Sequence, residues 1–149
     1  MTVSSINNGL EGILPSNPLP KESIQALYAT AYDLYNNGKY EESKSFFHFL
    51  TLSDVKDGRF WMGLGACFQM LKSYEPAIKA YSYAAIQDIQ NPYAHLHAAE
   101  CFYALKDVDK ALMAIDSALI IAKDSTSHKT LIHSLEHLNS SFIKQKSGL

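Results

Sequence analysis

Three groups of side chains in this chain of 149 residues have types and spacings that chemistry could use. His133 and His137 lie four apart, a spacing that sets two imidazoles on one face of a helix like half of a metal site. No third ligand lies nearby and the His-Glu-x-x-His pattern is absent, so the pair reads as surface histidines. Cys67 and Cys101 are the two cysteines. No Cys-x-x-Cys pair, nucleophile and base constellation, glycine-rich phosphate loop or paired-carboxylate motif accompanies them. The third group is aromatic: Tyr28, Tyr32, Tyr35, Tyr93 and Tyr103. Tyrosine offers wide apolar area, few rotors to freeze and a hydroxyl for a partner's backbone, which is the chemistry of binding. The chain is therefore expected not to be an enzyme and to need no cofactor or metal.

An internal repeat positions these tyrosines. Leu27, Trp61 and His95 superimpose at a shift of 34 residues, the period of the tetratricopeptide helix-turn-helix unit. The same step aligns Ala31, Gly65 and Ala99 at a small position, then Leu34, Phe68 and Phe102 at a large one, and next Tyr40, Tyr74 and Val108. On the second helix of each unit it aligns Ser43, Ala77 and Ala111, then Phe47, Tyr81 and Ile115, then Leu50, Ala84 and Ala118. A small residue on the first helix lets the second approach closely, and a bulky residue from the second fills the gap. Helices too short to stand alone thereby share one buried seam. The expected fold is all-α: three tetratricopeptide repeats in a right-handed superhelical array plus a C-terminal capping helix.

Residues 1–20 fall outside the repeat. Ile6, Leu10, Ile13 and Leu14 have helical spacing, but Gly9, Gly12, Pro15, Pro18 and Pro20 break any long helix, and a flexible N-terminal arm is expected. The repeat domain covers 21–122, with Gly38 as a helix stop and Asp57, Ser73, Asn91 and Asp107 as helix N-caps. Pro92 after Asn91 strengthens that start. Residues 123–149 hold a linker and the capping helix, whose Leu131, Leu135, Leu138 and Phe142 share one face. Cys67 and Cys101 occupy one site in successive units, on helices whose axes stand about 8 to 10 Å apart. A disulfide needs its Cα atoms within about 7 Å, so both are expected as free packing thiols.

With 47% apolar residues the chain can build a continuous core. A formal net charge of −2 with no long basic run gives no footprint for nucleic acid or an anionic membrane. No stretch approaches the ~20 apolar residues of a membrane span and no signal peptide is evident, so a cytoplasmic protein with no stable membrane association is expected.

In stacked helix pairs the first helices line a concave groove. The stripe rotated by about one residue from the seam comprises Gln25, Tyr28, Tyr32 and Tyr35 in unit one, Arg59, Met62, Ala66 and Gln69 in unit two, and Tyr93, Leu96, Glu100 and Tyr103 in unit three. A solvated face would be mostly charged. Here only Arg59 and Glu100 are. These twelve residues are the expected partner-binding set, suited to an extended peptide with several apolar anchors, although some of the tyrosines could instead pack between neighbouring first helices. A clamp for a C-terminal carboxylate would need cations and amides where Tyr28, Tyr32 and Tyr93 stand.

The local wording carries a resemblance over about residues 24–122. The stretch Asp57-Gly58-Arg59-Phe60-Trp61-Met62-Gly63-Leu64-Gly65-Ala66-Cys67, then Tyr81-Ser82-Tyr83-Ala84-Ala85 and His97-Ala98-Ala99-Glu100-Cys101, resembles the class II chaperones of bacterial type III secretion. Gly38-Lys39-Tyr40-Glu41-Glu42 and Phe46-Phe47-His48-Phe49-Leu50 are similar to that family as well. The resemblance implies a cytosolic, non-enzymatic protein that holds hydrophobic pore-forming translocators before export, seating an extended apolar segment in its groove. It also implies a possible homodimer built through N-terminal elements. The short, proline-rich arm departs from the family's helical extension. A general scaffold binding an unrelated apolar peptide is the alternative reading.

Overall fold

The chain folds as helix pairs in a computed structural model that describes residues 18–148. Among the described residues seven α-helices follow one another: α1 Lys21–Asn36, α2 Tyr40–Ser53, α3 Gly58–Met70, α4 Tyr74–Gln87, α5 Pro92–Ala104, α6 Val108–Lys123 and α7 Lys129–Lys146. A 3₁₀ turn at Thr126–His128 links the last two. Each helix packs on the next, so α1 and α2, α3 and α4, and α5 and α6 form the three repeats. No strand occurs among the described residues. The expected arm lies, apart from residues 18–20, outside the described residues.

The helix starts follow from the chemistry of their first turns. Asp57 accepts from Arg59 N at 3.0 Å, Asn91 from Tyr93 N at 2.9 Å, and Asp107 from Lys110 N at 3.1 Å. Each such cap stabilises its helix by about 1 kcal/mol. Ser73 holds the cap position of α4 but its side chain makes no cap hydrogen bond, which corrects the expectation. The residue three positions on, where Lys110 serves Asp107, is here Pro76, which has no N–H to offer.

The stops inside the repeats are more regular than the sequence indicated. Gly38 ends α1 at φ +75°, and Lys72 and Lys106, each 34 residues further, adopt φ +60° and +67°. Each allows the same pair of closing hydrogen bonds, such as Lys39 N to Leu34 O at 2.9 Å and Gly38 N to Tyr35 O at 3.0 Å. Two of the three left-handed positions therefore carry a side chain that this conformation disfavours.

The seam is as the 34-residue alignment requires. Ala31, Gly65 and Ala99 are buried, as are Ser43, Ala77 and Ala111, then Phe47, Tyr81 and Ile115, then Leu50, Ala84 and Ala118. Ser43 donates to Ala31 O at 2.7 Å and accepts from the Cys67 thiol at 3.3 Å, so the polar member of the small set is satisfied. Cys67 and Cys101 are buried free thiols. Burial pushes the Cys67 thiol up and that of Cys101 to about 12, so both stay protonated. Leu135 and Phe142 of α7 are buried against α6, while His133 and His137 are exposed.

Candidate binding groove

The first helices α1 and α3 flank a cavity of about 690 Å³. Its wall is built from Tyr28, Tyr32, Tyr35, Arg59, Met62 and Ala66, six residues of the expected stripe. Helical spacing explains the set: these positions lie one step around from the seam on their helices, so they turn toward the concave side, although Tyr28 and Tyr35 also pack on the core around Phe47 and Met62 on that around Tyr81. Tyr32 remains 51% exposed at the mouth of this cavity. Gln25 lies in a second, adjoining cavity of about 360 Å³, which shares Tyr28 and Arg59 with the first.

The floor was not visible in the stripe. Phe47 and Tyr81, residues of the second helices α2 and α4, reach through and line the same cavity. Gly63 makes room for the first of them, since a Cβ there would collide with the Phe47 ring. Ala29 and His97 hold the equivalent positions in the other units. His97 lies against Tyr81, with ring centroids 5.5 Å apart, and also lines the cavity. The signal that could have exposed Phe47 is Gly63, a second glycine two residues before the seam glycine.

The groove aromatics hold one another. The Tyr28 ring meets Tyr32, Phe47 and Phe60 at centroid distances of 5.5, 6.0 and 5.7 Å. Burial pushes the Tyr28 and Tyr35 hydroxyls up, so both remain neutral donors. Arg59 is fixed beside them. Its Nε and Nη2 donate to Asp57 at 3.0 and 2.6 Å, and its guanidinium lies 5.3 Å from the centre of the Tyr28 ring.

Gln69 and Glu100, expected in the binding stripe, do not line the cavity; they form a polar chain behind Tyr81 and His97, which do. Tyr81 OH donates to Gln69 Oε1 at 2.6 Å, Gln69 Nε2 donates to Glu100 Oε2 at 2.9 Å, and His97 Nδ1 pairs with the same carboxylate oxygen at 2.9 Å. This chain crosses from α4 through α3 to α5 and stitches the second repeat to the third.

The third-unit stripe divides. Tyr103 stacks on Phe142 of α7, centroids 4.3 Å apart and planes at 10°, and Leu96 packs on the cluster around Ile115 and Leu135. Tyr93, 43% exposed, stands edge-on to His128. The three do not line the cavity. The last helix docks where the first helix of a fourth unit would, and it takes Tyr103 as a packing partner. For Tyr103 the packing alternative is the one the structure realises.

This arrangement contains a shaped aromatic trough with fixed polar edges. Among the described residues there is no group of three metal-ligating side chains, and no helix is long and apolar enough to cross a membrane.

The tetratricopeptide repeat family matches residues 28–92 and 77–127. The chain is 34% identical over 144 residues to the low calcium response locus protein H of Yersinia pestis, covering 97% of this chain and 83% of that protein. It is similar to PcrH, crystallised in complex with the chaperone binding region of PopD, at 33% identity and a TM-score of 0.85 over 89% of this chain and 99% of PcrH. It is also similar to the type III secretion chaperone SycD of Yersinia enterocolitica, solved with a peptide of the translocator YopD, at 32% identity and a TM-score of 0.82 over 87% of this chain and 99% of that one.

Proposed function

The chain belongs to the tetratricopeptide-repeat chaperones of type III secretion, and from that premise we propose that its concave groove holds an extended, apolar segment of a translocator protein before export. The observation that carries this reading is the 690 Å³ trough walled by Tyr28, Tyr32, Tyr35 and Met62. A translocator must carry membrane-inserting segments through water, where exposed apolar surface aggregates. Each apolar anchor buried in the trough would contribute roughly 1.5 to 3 kcal/mol before ordering costs, so three or four supply micromolar binding or better. Binding alone serves this role, with no bond made or broken, and its place is the bacterial cytosol. The binding set is Tyr28, Tyr32, Tyr35, Arg59, Met62 and Ala66, extended by Gln25 at one end, floored by Phe47 and Tyr81, and backed by Gln69 and Glu100. Tyr93 serves at the margin.

Expressing a translocator with and without this chain tests the proposal. Co-expression should move the translocator from the insoluble to the soluble fraction in a complex that survives gel filtration. A translocator that stays insoluble in the presence of the folded chain would contradict it.

A further inference from the structure

The 34-residue step that places Ala29 in the first unit and Gly63 in the second places His97 in the third, and His97 is the one residue of α5 that lines the trough. Its ring is fixed from two sides. One face lies against Tyr81, centroids 5.5 Å apart and planes at 32°, and Nδ1 meets Glu100 Oε2 at 2.9 Å. That oxygen also accepts from Gln69 Nε2 at 2.9 Å. Burial alone would raise the Glu100 carboxyl, but its hydrogen bonds with His97 and Gln69 outweigh burial and keep it below its ordinary value, so it is ionised and can only accept. Nδ1 therefore carries the proton, and in the neutral ring Nε2 is left bare, an acceptor. Nε2 makes no hydrogen bond among the described residues, and none of their fully buried side-chain nitrogens or oxygens lacks a partner. It is thus an accessible atom of a side chain that lines the trough.

We propose that His97 is a specificity residue of the groove, and that its Nε2 accepts a hydrogen bond from a backbone N–H of the bound segment. The inference rests on the groove reading above and names a feature that its occupant must have. A segment lying between aromatic walls gives up water along its backbone, and each N–H that it buries needs an acceptor. Phe47, on the same floor, has none to offer, and the hydroxyl proton of Tyr81 is already given to Gln69 at 2.6 Å. His97 is held by Glu100 and Tyr81 before any partner arrives, so little ordering cost falls on the binding step. Glu100 acts through the imidazole as a positioning residue that sets its tautomer. The residue whose N–H meets Nε2 cannot be proline, which would cover the nitrogen and leave it unpaired. The groove thereby discriminates against proline at one point among its apolar anchors.

The test uses the chaperone binding region of PopD as probe in calorimetric titrations of the wild-type chain and His97→Asn. Asparagine keeps an amide N–H for Glu100 near the place of Nδ1 and ends short of Nε2, so melting temperature should hold while affinity falls about tenfold. N-methylating the backbone of the probe one residue at a time should identify one position that costs the wild type about tenfold and costs His97→Asn far less. Nitrogen-15 NMR reads the ring itself. In the free chain Nδ1 should carry the proton and Nε2 should show the resonance of a bare nitrogen, which moves upfield when the probe binds. A free chain with the proton on Nε2, an Nε2 resonance unmoved by the probe, His97→Asn binding as tightly as wild type, or no N-methyl position coupled to His97 would overturn the inference and leave the groove reading standing. A wild-type chain that binds no probe would overturn both.

Discussion

Tyr81 closes over Gly65: a Cβ at residue 65 would stand 2.8 Å from Cδ1 and Cε1 of the Tyr81 ring. The contact joins the first and second helices of the middle repeat, and the same ring continues to the cavity floor and to Gln69. One glycine thus sets both the helix spacing and the depth of the trough.

Enlarging that residue should separate the pair. Gly65→Leu overpacks the seam and is expected to destabilise the chain by about 1 to 3 kcal/mol, read as a lower melting temperature by circular dichroism. An unchanged melt would mean that residue 65 does not lie beneath Tyr81.

The two left-handed lysines predict a gain. Lys72 and Lys106 are exposed and sit where the first repeat has Gly38. Replacing both by glycine relieves backbone strain at some cost in chain entropy, with an expected net stabilisation of about 0.5 to 1 kcal/mol per site. Chemical denaturation should show a higher midpoint with an unchanged slope, and a lower midpoint would refute the strain.

These lysines also mark where the sequence stopped being legible. The 34-residue alignment exposed the seam, because a small residue facing a large one is a constraint that each repeat must satisfy separately. It exposed the wall of the trough for the same reason, since Tyr28, Tyr32, Tyr35 and Met62 lie at a fixed rotation from the seam. It did not reveal the positive φ of Lys72 and Lys106, which repeat geometry imposes against local preference, nor the missing cap bond of Ser73, which depends on Pro76. The floor escaped because Phe47 belongs to another helix and enters through the space left by Gly63. At Tyr103 the face that the stripe points to is already taken, by Phe142 of a helix outside the repeat.

That last helix yields a further prediction. Leu135 and Phe142 are buried against the third repeat, with Leu131 and Leu138 half-buried beside them. Ending the chain after Lys123 uncovers Ile115, Leu119 and Tyr103 together, and should produce aggregation or a broad, non-cooperative melt. A soluble truncation with a sharp transition would assign the helix another purpose.

Acid should weaken the fold through two carboxylates. The hydrogen bond from Arg59 lowers the pKa of Asp57 despite partial burial, and Glu100, which burial alone would raise, is lowered by its hydrogen bonds with His97 and Gln69, from ordinary values of 3.8 and 4.5. Between the folded and unfolded values the unfolded chain binds the extra protons, so stability rises with pH there. The contribution is complete above the ordinary carboxylate range and is lost as pH falls through the lowered values. Melting temperature should therefore drop below about pH 4, and Asp57→Asn with Glu100→Gln should flatten that drop. An equally steep drop in the double variant would place the acid sensitivity elsewhere.

The central claim is that the tyrosine wall holds the partner, and one titration reaches it most directly. The chaperone binding region of PopD is titrated into the wild-type chain and into Tyr32→Ala with Tyr35→Ala. If the two rings anchor the segment, the variant should lose about 2 kcal/mol or more, roughly thirtyfold in affinity, while its circular dichroism spectrum stays that of the wild type. Equal affinity in the two proteins would contradict the account, because the exposed aromatic surface that defines the groove would then contribute nothing to what it binds.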